Sequence, residues 1–288
     1  MTTLLGILIL GTVWGSLYSL IAVGFSLIFG VAGIINLSHG SFYMLGAYLA
    51  YTFMTVLGIN VPLSALMAVA LTVLVGMAVD RFCIKPMRER HVYVLIITLS
   101  LAFFFQELMY AFYGPYGKAV KSFVVGEIEL GRVEVSYQKV LTLLVSTVAV
   151  SLLWLFIKKT KTGKSVAAVA QNKDAAILMG IQYERVYLIT MAISAGLAAV
   201  AGVFIAPVLE AVPGMWTFPL FKAFAIVIIG GLGSIEGAVI AAMLLGYAET
   251  AVSILVSPNF TDMVYLVATI FILVVRPTGL MSKSLAYK

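Results

Sequence analysis

The chain has 288 residues, 62% of them hydrophobic and 10% charged, whereas soluble domains average about 25% charged residues; a soluble globular fold is excluded and an integral membrane protein is expected. The net charge of +6 comes from Lys and Arg in short loops between apolar runs, the positive-inside pattern, so it points to membrane topology and not to nucleic acid as a partner. A single cysteine, Cys83, permits no internal disulfide, and no Cys/His cluster has metal-ligand spacing, so no metal site is expected.

Apolar runs of about 20 residues are long enough to cross a bilayer as helices. They fall near 4–29, 33–58, 61–80, 93–113, 138–157, 187–207, 218–230, 236–256 and 261–276. The first begins without a basic region or a small-residue cleavage site, so it reads as a span rather than a signal peptide. That makes nine; a re-entrant 218–230, or a different division of the first two runs, makes eight or ten. The expected fold class is all-α, a polytopic transmembrane helical bundle of 8–9 spans with discontinuous or re-entrant segments, forming one domain over 1–288.

The first two runs are divided by GVAGIINLSHGSFYMLG, Gly30 to Gly46, which carries Asn36, Ser38, His39, Ser41 and Tyr43. An unpaired amide or imidazole in hydrocarbon costs roughly 2–7 kcal/mol, so these groups must face protein, water or a ligand. The run at 61–80 has Gly58 and Asn60 as turn residues before it and Pro62 in its first turn.

Basic residues set the orientation. Arg81, Lys85, Arg88 and Arg90 follow the third run, Lys158, Lys159, Lys161, Lys164, Lys173 and Arg185 follow the fifth, and Arg276, Lys283 and Lys288 close the chain. All fall on one side of the expected topology, which is therefore cytoplasmic. The segment 114–137 then lies outside, where FVVGEIELGRVEVSY alternates as a short β-hairpin does.

In the largest inner loop, NKDAAILMGI carries Asn172 as an N-cap, Asp174 in the positive first turn and Gly180 at C′, which predicts a short surface helix. Its apolar residues Ala175, Ala176, Leu178 and Met179 would fill a groove in another protein or rest on lipid headgroups. Thr162, Gly163, Lys164 and Ser165 spell the end of a phosphate-binding loop, but Lys158 stands where the earlier glycine is required and no strand precedes it, so no nucleotide site is expected. Gly196, Ala198, Ala199 and Gly202 form a small-xxx-small pattern that permits close helix packing.

Several polar groups lie within the apolar runs. Gln106 and Glu107 lie in the fourth and Glu249 in the eighth, each calling for hydration, a polar pathway or a partner helix, while Lys222 is expected to snorkel from the start of its run. A second break, GGLGSIEG from Gly230 to Gly237, combines Gly230, Gly231 and Gly233 with Ser234 and Glu236. Paired Gly-interrupted hydrophobic segments are the sequence mark of a transporter's central site or its gates. The candidates for substrate pathway or gate are Asn36, Ser38, His39, Ser41, Tyr43, Gly230, Gly231, Gly233 and Ser234, with His39 either a hydrogen-bonded link between helices or a pathway residue.

Four stretches together resemble the branched-chain amino-acid ABC importer permeases of the LivH type: SLIFGVAGIINLSHGSFYMLGAYLAY, VAQNKDAAILMGIQYERVYLITMAISAGLAAVAGVF, FAIVIIGGLGSIEGAVIAAMLLGYAE and RPTGLMSK. They cover nearly half the chain, in family order. The resemblance implies a permease in a bacterial or archaeal cytoplasmic membrane, with its C-terminus cytoplasmic. It implies as partners a second, related permease, two cytoplasmic ATPases and a periplasmic solute-binding protein. Within the cytoplasmic segment 158–186, the matching coupling residues are Gln171, Asn172, Asp174, Ala175, Ala176, Leu178, Met179 and Gly180, which would dock on an ATPase. ATP and Mg would belong to those partner chains, leaving no cofactor and no enzyme activity here.

The sequence departs from the family where Ser38 and Ser41 replace the usual alanine and acidic residue flanking His39–Gly40, and where Glu236 replaces a common proline. Close relatives carry urea, short amides or aromatic acids, so a branched-chain amino acid is the default substrate. The other reading is a stand-alone ion-coupled transporter or channel, with Glu107, Glu249 and His39 as relay candidates. A membrane enzyme would need a nucleophile and base that converge, and the sequence offers no such set.

Overall fold

A computed structural model describes residues 2–130 and 133–281; Lys283 and Lys288 of the basic tail, the last two residues of RPTGLMSK, and Gly131 and Arg132 of the hairpin stretch lie outside the described residues. The helices follow the apolar runs. They are α1 (Thr2–Ala32), α2 (His39–Tyr51), α3 (Val61–Val79), α4 (His91–Tyr113), α5 (Tyr137–Lys159), α6 (Lys161–Gln171), α7 (Lys173–Leu178), α8 (Tyr183–Leu209), α9 (Thr217–Gly230), α10 (Ile235–Leu255) and α11 (Thr261–Val275). Between α4 and α5, β1 (Glu127–Leu130) and β2 (Val133–Ser136) pair antiparallel as the expected hairpin, with Ile128 opposite Val135.

Local chemistry sets the helix ends. Asn60 caps α3 by accepting from the Leu63 amide at 3.0 Å, with Pro62 in the first turn. After Val79 the helical path continues through one wide turn and one tight turn, making a 27-residue rod from Val61 to Met87. Gly114 ends α4 at φ +76°, a conformation open to glycine at little cost.

Among the described residues, seven helices are long and apolar enough to span a membrane. The expectation of eight or nine is therefore slightly high, and both shortfalls lie at the breaks. The run at 33–58 becomes helical only at His39, because residues 33–36 are irregular and turn the chain back, leaving α2 and its wide continuation Thr52–Val56. The run at 218–230 forms the 14-residue α9, roughly 21 Å long at about 1.5 Å per residue and too short for a core about 30 Å thick.

Helices α1, α2 and α8 form the interior, whereas α11 buries none of its side chains within the chain. The small residues of 194–202 serve close packing as expected: Gly202 lies against the Tyr43 carbonyl, and a Cβ added to Gly46 would come within 2.6 Å of the Ala199 carbonyl oxygen. A second close pair was not read from the sequence. Gly11 and Gly15 of α1 lie against Tyr247, Met243 and Gly246 of the antiparallel α10, and Thr12 shares a 2.9 Å hydrogen bond with Tyr247.

The basic residues that follow α3 and α5 collect at one end of the bundle. Lys85 and Arg88 reach Glu184 at 3.1 and 3.2 Å, Lys173 lies over the Tyr183 ring, and Lys158 approaches Glu236 at 3.8 Å. The hairpin marks the opposite end, where Lys118 pairs with Ala211 after α8.

Candidate functional site

The first break is a loop that turns back into the bundle. Gly33, at φ +66°, closes α1, and its amide donates to the Phe29 carbonyl at 2.8 Å. Asn36 then makes an Asx turn, its Oδ1 accepting from the Ser38 amide at 3.0 Å and the Ser38 hydroxyl at 2.6 Å, while its Nδ2 faces the Met191 sulfur of α8 at 3.7 Å. The Leu37 amide donates to Thr98 of α4 at 3.2 Å.

His39 opens α2 and is fully buried. Its Nε2 lies 3.0 Å from the Ile21 carbonyl and its Nδ1 3.1 Å from Ser194 Oγ. A carbonyl only accepts, so Nε2 of the neutral ring donates to Ile21 and Nδ1 accepts from the Ser194 hydroxyl. Ile21 precedes the end of α1 by eleven residues, roughly 16 Å along the axis, so His39 sits deep in the bundle. Gly24 leaves room for the ring, since a Cβ there would stand 3.0 Å from His39 Cε1.

The second break lies at the basic end. Gly231 and Gly233 take φ +104° and +79°, and Ser234 caps α10 by accepting from the Gly237 amide at 3.0 Å. The C-terminal stretch closes α9: Leu280 and Met281 donate to the carbonyls of Ile229 and Gly230 at 2.8 and 3.0 Å. The two breaks meet backbone to backbone, for a Cβ on Gly30 would come within 3.3 Å of Gly233 Cα.

A cavity of about 510 Å³ lies on the hairpin side of His39, between α1, α9, α10 and the start of α11. Ile21 and Tyr43 belong to its lining, and Ile21 is the residue whose carbonyl His39 binds. Of the first-break candidates only Tyr43 reaches this cavity; Asn36, Ser38, His39 and Ser41 are buried between helices, and Gly230, Gly231, Gly233 and Ser234 stand away from it.

The cavity holds a charge cluster that sequence reasoning missed. Lys222 does not snorkel. Its Nζ contacts Glu249 Oε1 at 2.5 Å, donates to the Tyr18 hydroxyl at 2.9 Å and stands 4.0 Å from Asp262 Oδ1, because α9 and α10 pack side by side and hold the ammonium against a carboxylate. The sequence signal was present in Lys222 and Glu249 as two opposite charges on consecutive apolar runs. Glu107, by contrast, is exposed on α4, while Gln106 accepts from the Trp216 indole at 2.6 Å.

The short helix α7 forms where expected. Asn172 Oδ1 accepts from the Ala175 amide at 3.0 Å, Asp174 lies in the first turn, and Gly180 takes φ +84° after the last residue. Leu178 and Met179 are 87% and 84% exposed. Ala176 corrects the expectation that it faces a partner: it is 4% exposed, because one face of so short a helix must lie on the chain's own α8 and core. Ile177 is exposed in its place. The loop also holds α6, capped by Thr160 and ending at Gln171, which absorbs Thr162 to Ser165 into helix instead of a phosphate loop.

A buried polar hub joins this end to the membrane helices. Arg88 donates to Asp80 at 3.1 Å and to Glu184 at 3.2 Å, and its guanidinium lies 3.5 Å from the centroid of the Tyr187 ring. Both Arg88 and Asp80 side chains are buried. The sequence reading took Arg88 only as a topology marker.

A family profile described as the branched-chain amino acid transport system / permease component matches residues 7–275. The high-affinity branched-chain amino acid transport system permease protein BraD of Pseudomonas aeruginosa is 32% identical over 96% of this chain and 95% of its own length. The permease protein LivH of Escherichia coli is 30% identical over 95% and 94%, and a probable LivH of Methanocaldococcus jannaschii is 28% identical over 86% and 81%. In fold the chain is similar to PsaBC from Streptococcus pneumoniae, solved with a Fab, at 11% identity and a TM-score of 0.52 over 94% of this chain and 92% of that one. With the long apolar helices and the two glycine breaks inside the matched region, the chain belongs to the permease-component family of branched-chain amino acid transport systems.

Proposed function

We propose that this chain is the transmembrane permease subunit of an ATP-binding-cassette importer that moves branched-chain or related amino acids into the cytoplasm by alternating access. The match to permease components along nearly the whole chain carries this reading. The basic end is the cytoplasmic side by the positive-inside rule, which puts the C-terminus there, in a bacterial or archaeal cytoplasmic membrane. The chain works with a second permease and two ATPases that hold ATP and Mg, and it receives substrate from a periplasmic binding protein at the hairpin end.

Exposed Leu178 and Met179 at the tip of α7 supply the apolar anchors of an ATPase contact. Lys173 over the Tyr183 ring and the Arg88 hub link that contact to α8 and the end of α3. On the other side of the bundle the cavity receives substrate, and the His39 link and the Gly30–Gly233 contact lie between it and the cytoplasm as the inner gate. Ligand and ATP act by favouring different states of this gate.

The test is uptake by membrane vesicles carrying the permease with its cognate ATPases and binding protein, offered labelled leucine, isoleucine, valine, urea and aromatic acids. Amino-acid accumulation that requires ATP and the binding protein is expected. Accumulation driven by an ion gradient without ATP overturns the importer reading, and uptake confined to urea or aromatic acids overturns the substrate.

A further inference from the structure

We infer that the cavity beside Lys222 is a binding station for an α-amino acid zwitterion carrying an aliphatic side chain, with Lys222 taking the carboxylate and Asp262 the ammonium. This rests on the amino-acid importer reading and adds a site and an orientation to it.

The charges are arranged for a dipolar ligand. The Lys222 ammonium has three donors, and Glu249 and Tyr18 engage two of them, leaving one for an incoming acceptor. Asp262 Oδ1 stands 4.0 Å from the same nitrogen, beyond hydrogen-bond distance, and its side chain is 54% exposed. In a zwitterion the ammonium nitrogen and the nearer carboxylate oxygen are about 3 Å apart, set by two backbone-type bonds and a carbonyl. Laid alongside the Lys222–Asp262 pair, such a ligand meets each charge with its opposite.

The balance of charge favours the same class. One lysine faces Glu249, Asp262 and, farther along the lining, Glu210. A monoanion meets this net negative cavity with one favourable partner and three unfavourable ones. A monocation is drawn by the three carboxylates but leaves the free Lys222 donor unused and adds a like charge beside it, so the carboxylate end is what distinguishes the zwitterion. The zwitterion satisfies both ends without changing the net charge.

Most of the remaining wall is apolar, with Trp14, Leu17, Ile21, Met215 and Phe218 around the space and hydroxyls only at a few positions such as Ser253. A volume near 510 Å³ lies within the range of small-molecule sites, about 300–1,000 Å³. The Lys222 and Glu249 side chains are 13% and 17% exposed, so their charges act with little solvent screening.

The experiment uses the full importer in right-side-out vesicles. Cys83 is the chain's single cysteine, so a Cys83→Ser, Ser253→Cys permease places one thiol in the cavity lining. Its labelling rate by a small methanethiosulfonate is read with L-leucine, with 3-methylbutylamine, which lacks the carboxylate, and with 4-methylpentanoate, which lacks the ammonium. Leucine at twice its dissociation constant leaves a third of the sites open and slows labelling about threefold; the two analogues leave it unchanged. Asp262→Asn, an exposed and conservative change, and the neutral pair Lys222→Gln with Glu249→Gln each remove the protection, with permease abundance in the membrane as the control for folding.

Uptake of leucine, isoleucine or valine without protection of Ser253→Cys overturns the site and leaves the importer reading standing. Protection that survives both charge variants, or equal protection by the amine alone, overturns the zwitterion assignment. Failure to take up any amino acid overturns the amino-acid substrate reading on which this site rests, independently of labelling.

Discussion

His39 does its work as a hydrogen-bonded link: buried, neutral, donating to one helix and accepting from another. His39→Ala leaves the buried Ile21 carbonyl and Ser194 hydroxyl without their partner, at about 1–3 kcal/mol for each group left unsatisfied. The melting temperature of the purified importer should fall, and uptake should fall with it. Leucine protection of the Ser253→Cys thiol should persist, because His39 does not line the cavity. Gly202 is limited by space. Its hydrogen faces the Tyr43 carbonyl so closely that Gly202→Ala must push α2 from α8, costing about 1–3 kcal/mol. Gly214→Ala, with open space around it, should leave the melting temperature unchanged. Arg88 is the charged counterpart of these buried contacts. Arg88→Met strands the buried Asp80 carboxylate and should cost about 3–5 kcal/mol, whereas Glu236→Gln, at an exposed 3.8 Å pair, should change stability by less than about 1 kcal/mol.

At the scale of elements, α7 separates two roles that adjacent residues share. Leu178→Asp with Met179→Asp places charge on exposed positions, so the permease should reach the membrane in normal amount while losing ATPase co-purification and uptake. Ala176→Asp, on the inward face, should instead lower the amount of folded permease, since it buries an unpaired carboxylate. The sequence identified α7 well, because an Asn cap, an acidic first turn and a C′ glycine are local signals. It did not assign Ala176 to the correct face, since a six-residue helix is too short for periodicity to define one. The same limit applied to α2 and α9. Apolar runs show that a segment is in the membrane, but not that 33–36 leaves the helix to place His39 beside Ile21.

At the scale of the molecule, the two breaks form one contact, Gly30 against Gly233, at the basic end of the bundle and away from the cavity. Cysteines at these two positions, on a Cys83→Ser background, should cross-link under oxidation and block uptake, and reduction should restore it; uptake that continues through the cross-link would remove this contact from the gate. The sequence by itself determined that the chain is a helical membrane protein, which end is basic, where the hairpin lies and where the capped helix of the inner loop begins. Each of these follows from transfer free energy or hydrogen bonding within a window of a few to about 20 residues. Only the tertiary structure decided that Lys222 is paired with Glu249 and Tyr18, that His39 is held by Ser194, that the two breaks touch, and that the cavity excludes all the first-break candidates except Tyr43. Lys222 and Tyr18 are 204 residues apart and His39 and Ser194 are 155 apart. Whether such polar groups meet depends on how whole helices pack, and a burial cost that demands a partner does not say which residue supplies it.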